Sequence, residues 1–180
     1  VITRESALSR GQQLSLALLR MLVGWHFLYE GYFKLWRPAW SRDGTPLPAW
    51  TSAGYLKAAG GPFADVFHRL ADSAWLGAID TVVAVTLFLA GLSLVLGLFT
   101  EVGGAAALGL LGMFYVSSIP TLGLPEAHSE GTYLFVNKNL IEAAAVLVLL
   151  VFEAGRIAGL DSLRGARRQT TRHAAEEART

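Results

Sequence analysis

The sequence contains no cysteine, which excludes disulfides, thiolate metal sites, iron–sulfur ligation and thiol redox chemistry within the chain. Charge is scarce: 16% of residues are charged, against roughly 25% in soluble domains. The net charge is +1, which gives no electrostatic basis for a nucleic-acid partner. His26, His68, His128 and His173 stand apart, with no His-x-x-x-His or Glu-x-x-His pair. Neither a metal nor a haem is therefore expected within this chain. No nucleotide-binding glycine motif is present either. What the chain has in excess is apolar surface, with 53% of its 180 residues hydrophobic. The length suits one compact domain.

A bilayer core of ~30 Å takes about 20 mostly apolar helical residues to cross. Four stretches qualify: Leu14 to Trp36, Ala74 to Leu98, Val102 to Leu122 and Tyr133 to Phe152. Asp80 is the only charge in the second, and the third has none. The first is too long for a signal peptide, and no small-residue cleavage site follows it. The expected fold is all-α: an integral membrane four-helix bundle over residues 1–163, followed by a basic tail over 164–180. Arg4 and Arg10 precede the first span, and Arg156, Arg164, Arg167, Arg168, Arg172 and Arg179 follow the last. The loop between spans three and four has no Lys or Arg. The positive-inside rule then places both termini in the cytoplasm and residues 39–73 and 121–132 outside.

The long outer loop has its own pattern. Trp36, Trp40 and Trp50 suit an interfacial aromatic belt. Pro38, Pro46, Pro48 and Pro62 divide it. Ala53 to Ala59 and Phe63 to Ala71 read as short interfacial helices, the second with Phe63, Val66, Phe67 and Leu70 on one face. The Arg-rich tail reads either as an amphipathic helix on anionic lipid or as a frayed segment that only enforces topology. Gly24, Gly31, Gly103, Gly104, Ala107 and Gly112 read as positions of close helix packing.

Ionisable groups at membrane depth cost about 2.5–3.5 kcal/mol each on insertion scales, so they face the bundle and pair. His26, Glu30 and Lys34 are spaced i, i+4, i+8 and form one stripe on span one. Span four carries Asn137, Lys138, Asn139 and Glu142. At ~1.5 Å of rise per residue, Glu30, Lys34, Asp80, Asn137, Lys138 and Glu142 reach one layer in the outer half of the bundle. Three acids then face two bases. One carboxyl is protonated, or it pairs with something outside the chain. The layer admits three readings: buried ion pairs that hold the helices, a pocket for a small ligand or quinone head group, or an ion path. On the inner side Arg20 and Glu101 share a depth and are expected to form a structural ion pair.

The stretch LLRMLVGWHFLYEGYFKLW, through Arg20, Gly24, Phe27, Leu28, Gly31, Lys34 and Leu35, resembles the opening pattern of the DoxX family, which includes the DoxD small subunit of thiosulfate:quinone oxidoreductase. GLSLVLGLFTEVGG is similar to that family's glycine-rich connection between its second and third helices. YLFVNKNLIEAAAVLVLL resembles its fourth helix, and GRIAGLDSL its ending around a Leu-Asp pair, here Leu160 and Asp161. The likeness covers roughly Leu14 to Leu163, and the loop from Ala39 to Ser73 is longer than in minimal members. The resemblance implies a bacterial inner-membrane subunit linked to redox enzymes. It has no cofactor motif of its own, and any electron-donating cofactor lies in another subunit. It also implies lipid and other membrane subunits as partners, with quinone at an interface near Glu30, Lys34 and Lys138. The alternatives are a purely structural accessory of a larger membrane complex and a small transporter or channel. Whether the chain takes part in catalysis is left open.

Overall fold

Ser9 opens the first helix because its side chain and that of Gln12 satisfy each other's backbone. Gln12 N–H donates to Ser9 Oγ at 3.3 Å and Ser9 N–H to Gln12 Oε1 at 2.8 Å, a capping box. From there α1 runs over Arg10–Leu35. The computed structural model describes residues 8–36, 49–119, 132–133 and 135–162. Over these the chain is helical: α2 (Ala53–Lys57), α3 (Ala64–Ala71), α4 (Leu76–Leu96), α5 (Thr100–Ser117), α6 (Lys138–Val151) and α7 (Ala154–Ala158). A two-residue antiparallel pair, β1 (Thr132–Tyr133) with β2 (Val136–Asn137), precedes α6. Expectations for Arg4, Trp40, the loop 120–131 and the tail 164–180 fall outside the described residues.

The four long helices close a ring: α1 on α4, α4 on α5, α5 on α6, and α6 back on α1. The α1–α4 seam is the most extensive. A Cβ on Gly24 would lie 2.8 Å from the backbone nitrogen of Val95, and one on Gly31 would meet the Phe88 backbone. Only glycine lets the two helices approach so closely. A Cβ on Gly104 would meet only the tip of the Leu150 side chain, and Gly112 faces open space and is not a packing position. Inside the ring, Val23, Phe27, Leu87, Leu94, Ala107, Leu111, Val146 and Leu149 form the core. Leu56 of α2, Ala59 of the link and Phe67 and Ala71 of α3 form a second cluster that packs on Leu76 and Val116 of the ring.

Among the described residues two helices, α4 and α5, are long and apolar enough to cross a membrane, and only about a third of each is buried. Val82, Val85, Leu89 and Leu96 of α4 instead point outward. The other two expected spans differ from these. The 26-residue α1 carries Arg10, Arg20, Glu30 and Lys34. The fourth span begins five residues later than expected, because Asn137 is its N-cap and accepts a hydrogen bond from Leu140 N–H at 3.0 Å. With 14 residues, α6 is about 21 Å long. The third ends at Ser117 rather than Leu122, since residues just before Pro120 are disfavoured in helical geometry.

The α4–α5 turn is held from a distance. Gly97 closes α4 in the left-handed region at φ 63°, as C-terminal caps favour. Phe99, also left-handed at φ 53°, starts α5. Its N–H and that of Thr100 donate to the Asp161 carboxylate at 3.0 and 3.1 Å, and Thr100 Oγ1 donates to it at 3.0 Å. The Asp161 N–H returns to Gly97 O at 2.8 Å. Arg20, only 3% exposed, reaches the same place and donates to Ala154 O at 2.9 Å and Ala158 O at 2.6 Å. The expected Arg20–Glu101 pair does not form. Glu101 lies on the surface with Arg156 at 3.4 Å, while Arg20 satisfies carbonyls at the end of the helical chain. Equal depth did not decide the partner; unsatisfied carbonyls at a helix end did.

Candidate functional site

Where α1 and α5 end and α4 and α6 begin, the ring does not fill. A cavity of about 430 Å³ remains there, within the range of small-molecule sites. Its floor is the upper core: Phe27, Val83, Leu87 and Leu111. Its roof is the α2–α3 unit with the residues before it, through Trp50, Tyr55, Leu56, Phe67 and Leu70. One wall is polar. From α1 come His26, Glu30 and Lys34; from the start of α6 come Asn137, Lys138, Asn139 and Glu142. Five of the six side chains expected in one layer thus share a cavity, joined by His26 and Asn139, set there by the i, i+4 spacing on α1 and on α6.

Two contacts order this wall. His26 Nδ1 is 2.5 Å from Glu142 Oε1, with the imidazole 56% exposed and the carboxylate 16%. This bond spans the α1–α6 seam. Lys34 donates to Glu30 one turn earlier on the same helix and also lies over the Trp50 ring, 5.1 Å from its centroid, a cation–π contact. Glu30, Lys34 and Trp50 also line a groove of about 340 Å³ with Tyr29 and Phe33. The Glu30–Lys34 pair therefore stands between the cavity and an outer face of α1. Lys138 faces Glu30 and His26 electrostatically. Asn137 and Asn139 amides donate to Ser118 Oγ at 3.3 and 3.4 Å. Asn137 is thus largely spent on structure, as a cap and a tie to α5.

Asp80 is the exception. Its carboxylate accepts from Ser52 N–H at 2.9 Å and Ser52 Oγ at 2.5 Å. It tethers the roof rather than joining the polar wall. That alters the charge balance. Without Asp80 the wall holds two carboxylates, Glu30 and Glu142, against two ammonium groups, Lys34 and Lys138, plus His26. The acid excess expected from sequence is gone.

The roof has further ties. Tyr55 Oη is 2.7 Å from Ser117 Oγ, and Gly60 N–H donates to Ser117 O at 3.3 Å. Tyr55, Ser117, Ser118 and Phe27 are site residues that the sequence reading missed, and Trp50 was taken only as a belt residue. Ser117 and Ser118 lie near the outer end of the third expected span, whereas Tyr55 lies within the outer loop and Phe27 mid-way along the first span. Among the described residues no three His, Asp or Glu side chains converge as metal ligands would. No family model, curated protein or solved structure matches the chain.

Proposed function

We propose that this chain is a multi-pass protein of the bacterial inner membrane. In this reading it is a four-helix bundle with both termini in the cytoplasm and a surface loop roofing its outer end. It serves as a membrane subunit of an oxidoreductase or respiratory-type complex and contributes a pocket for a lipid-soluble molecule with a polar head, of the quinone type. The observation that carries this is the cavity's division into an apolar floor and one wall of ionisable groups from α1 and α6. Membrane embedding is supported by the outward apolar side chains of α4 and by Leu18, Leu22, Trp25 and Tyr29 exposed on α1. The redox assignment draws on the likeness of the Arg20-to-Leu35 stretch and the Leu160–Asp161 ending to the DoxX family.

A quinone suits the donors present. Lys34, Lys138 and Asn139 carry N–H groups at the wall, and a carbonyl head accepts hydrogen bonds from such donors. A bound quinone would supply reversible electron and proton uptake, with electrons delivered by another subunit. The residues of this chain would orient the head group and keep bulk water from it. The pairing of both carboxylates favours a second reading, in which the wall only ties helices together in an accessory subunit.

One experiment separates the two. The full chain is purified in mild detergent from its native host, and co-purifying small molecules and proteins are identified by mass. Quinone in the wild type but not in Leu87→Trp, which fills the floor, supports the pocket. Partner subunits with no quinone in either would leave only the accessory reading. Because the chain lacks cysteine, single cysteines placed near each end and labelled from one side test the topology. Labelling of either end from outside would refute cytoplasmic termini.

A further inference from the structure

The wall's contacts restrict the ligand further than its apolar floor does. Glu30 is engaged by Lys34 and Glu142 by His26. Among the described residues, Lys138 alone of the charged wall groups has no hydrogen bond or ion pair. Counting Glu30, Glu142, Lys34 and Lys138, the wall is neutral with a neutral imidazole and +1 with an imidazolium. In neither state is it negative. A cationic ligand would have to compete with the partners that Glu30 and Glu142 already hold. An anionic one would give Lys138 a direct hydrogen-bonded partner, which it lacks among the described residues, and charge-assisted contacts are the stronger kind.

Position agrees with charge. Lys138 is the first residue of α6 and is exposed at the rim, whereas Phe27, Leu87 and Leu111 lie deep, each under about a twentieth exposed. A molecule that meets both extends an apolar chain inward and holds its charge at the mouth. We infer that the cavity takes a single-chain amphiphile with an anionic head, a long-chain carboxylate in chemical class, with Lys138 as its counter-ion. This rests on the proposed ligand cavity but not on quinone as its occupant.

Trp50 lines the cavity and provides the readout. The full chain in phosphatidylcholine nanodiscs is titrated with ω-bromododecanoate and with its methyl ester, compared at equal concentration in the bilayer. Quenching abolished by Trp50→Phe reports occupancy. The acid should occupy the cavity about tenfold more tightly than the ester, the scale of one charge-assisted contact. Lys138→Gln should erase that preference and Lys138→Arg should keep it, with circular dichroism showing an unchanged helical fold. Equal binding of acid and ester, or a preference that survives Lys138→Gln, overturns the inference. A short-tailed brominated benzoquinone is run in parallel. Quinone binding without carboxylate binding overturns this inference and leaves the quinone reading standing. Carboxylate binding without quinone binding does the reverse, and binding of neither overturns both.

Discussion

Arg20 and Glu101, expected to pair, should respond very differently to truncation. Arg20 is buried, and its two terminal nitrogens donate to carbonyls 134 and 138 residues away. The Asp161 carboxylate lies within its electrostatic reach. Arg20→Ala would strand both carbonyls and leave that carboxylate without its buried counter-charge. Removing one member of a buried charged set costs about 3–5 kcal/mol. For a chain of this size that lowers the melting temperature by roughly 6–20 °C. Arg20→Lys should recover only part of the loss, since one ammonium cannot fork to two carbonyls as a guanidinium does. Glu101 is 70% exposed at its side chain and meets Arg156 at 3.4 Å, so Glu101→Gln should cost about 0–1 kcal/mol. The assay is thermal unfolding in detergent followed by circular dichroism, with equal protein and detergent in all samples. Comparable losses in Arg20→Ala and Glu101→Gln would refute the reasoning, because they would mean that the two side chains do pair.

Three further outcomes are expected. Asp161→Ala removes the acceptor for three donors at the start of α5 and should cost about 1–2 kcal/mol, as loss of a helix cap does, read in the same melts. Gly31→Ala pushes a methyl into the Phe88 backbone and should cost about 1–3 kcal/mol by overpacking, whereas Gly112→Ala should be neutral or slightly stabilising, and the difference between their melting temperatures is the measurement. Asp80→Ala frees Ser52 and with it the roof, so amides near residues 50–60 should exchange hydrogen faster while the middle of α4 does not; unchanged exchange there would show that Tyr55 and Gly60 hold the roof unaided.

The sequence reading did well where length and periodicity decide. The first three apolar stretches match α1, α4 and α5 to within a few residues, and the two short loop helices match α2 and α3, because turn residues and one-face spacing are local signals. It placed the start of α6 too early, because Phe135 and Val136 are as apolar as the helix they precede and the cap that decides the boundary is one asparagine. Depth arithmetic brought Glu30, Lys34, Lys138 and Glu142 to one wall, and the stripe on α1 added His26. It did not assign partners. It left His26 unpaired, where the structure joins it to Glu142, and it placed Asp80 with the wall rather than with Ser52. Both errors share a cause: rise per residue gives height, while azimuth depends on how helices rotate against one another. The clasp around Asp161 was legible only as a likeness to a family ending, since its meaning lies in backbone groups 61 and 62 residues earlier.

If the chain spans a bilayer as proposed, the unequal lengths of its helices bear on the membrane itself. At 21 residues α4 reaches about 32 Å, while α6 reaches about 21 Å. In the proposed setting, with a hydrocarbon layer ~30 Å thick, α6 would fall short by about 9 Å, and the bilayer beside it would thin to meet it. Headgroups and water would dip toward Lys138 on that flank only. The lopsided footprint would favour thinner bilayers and neighbours able to shield the shallow side.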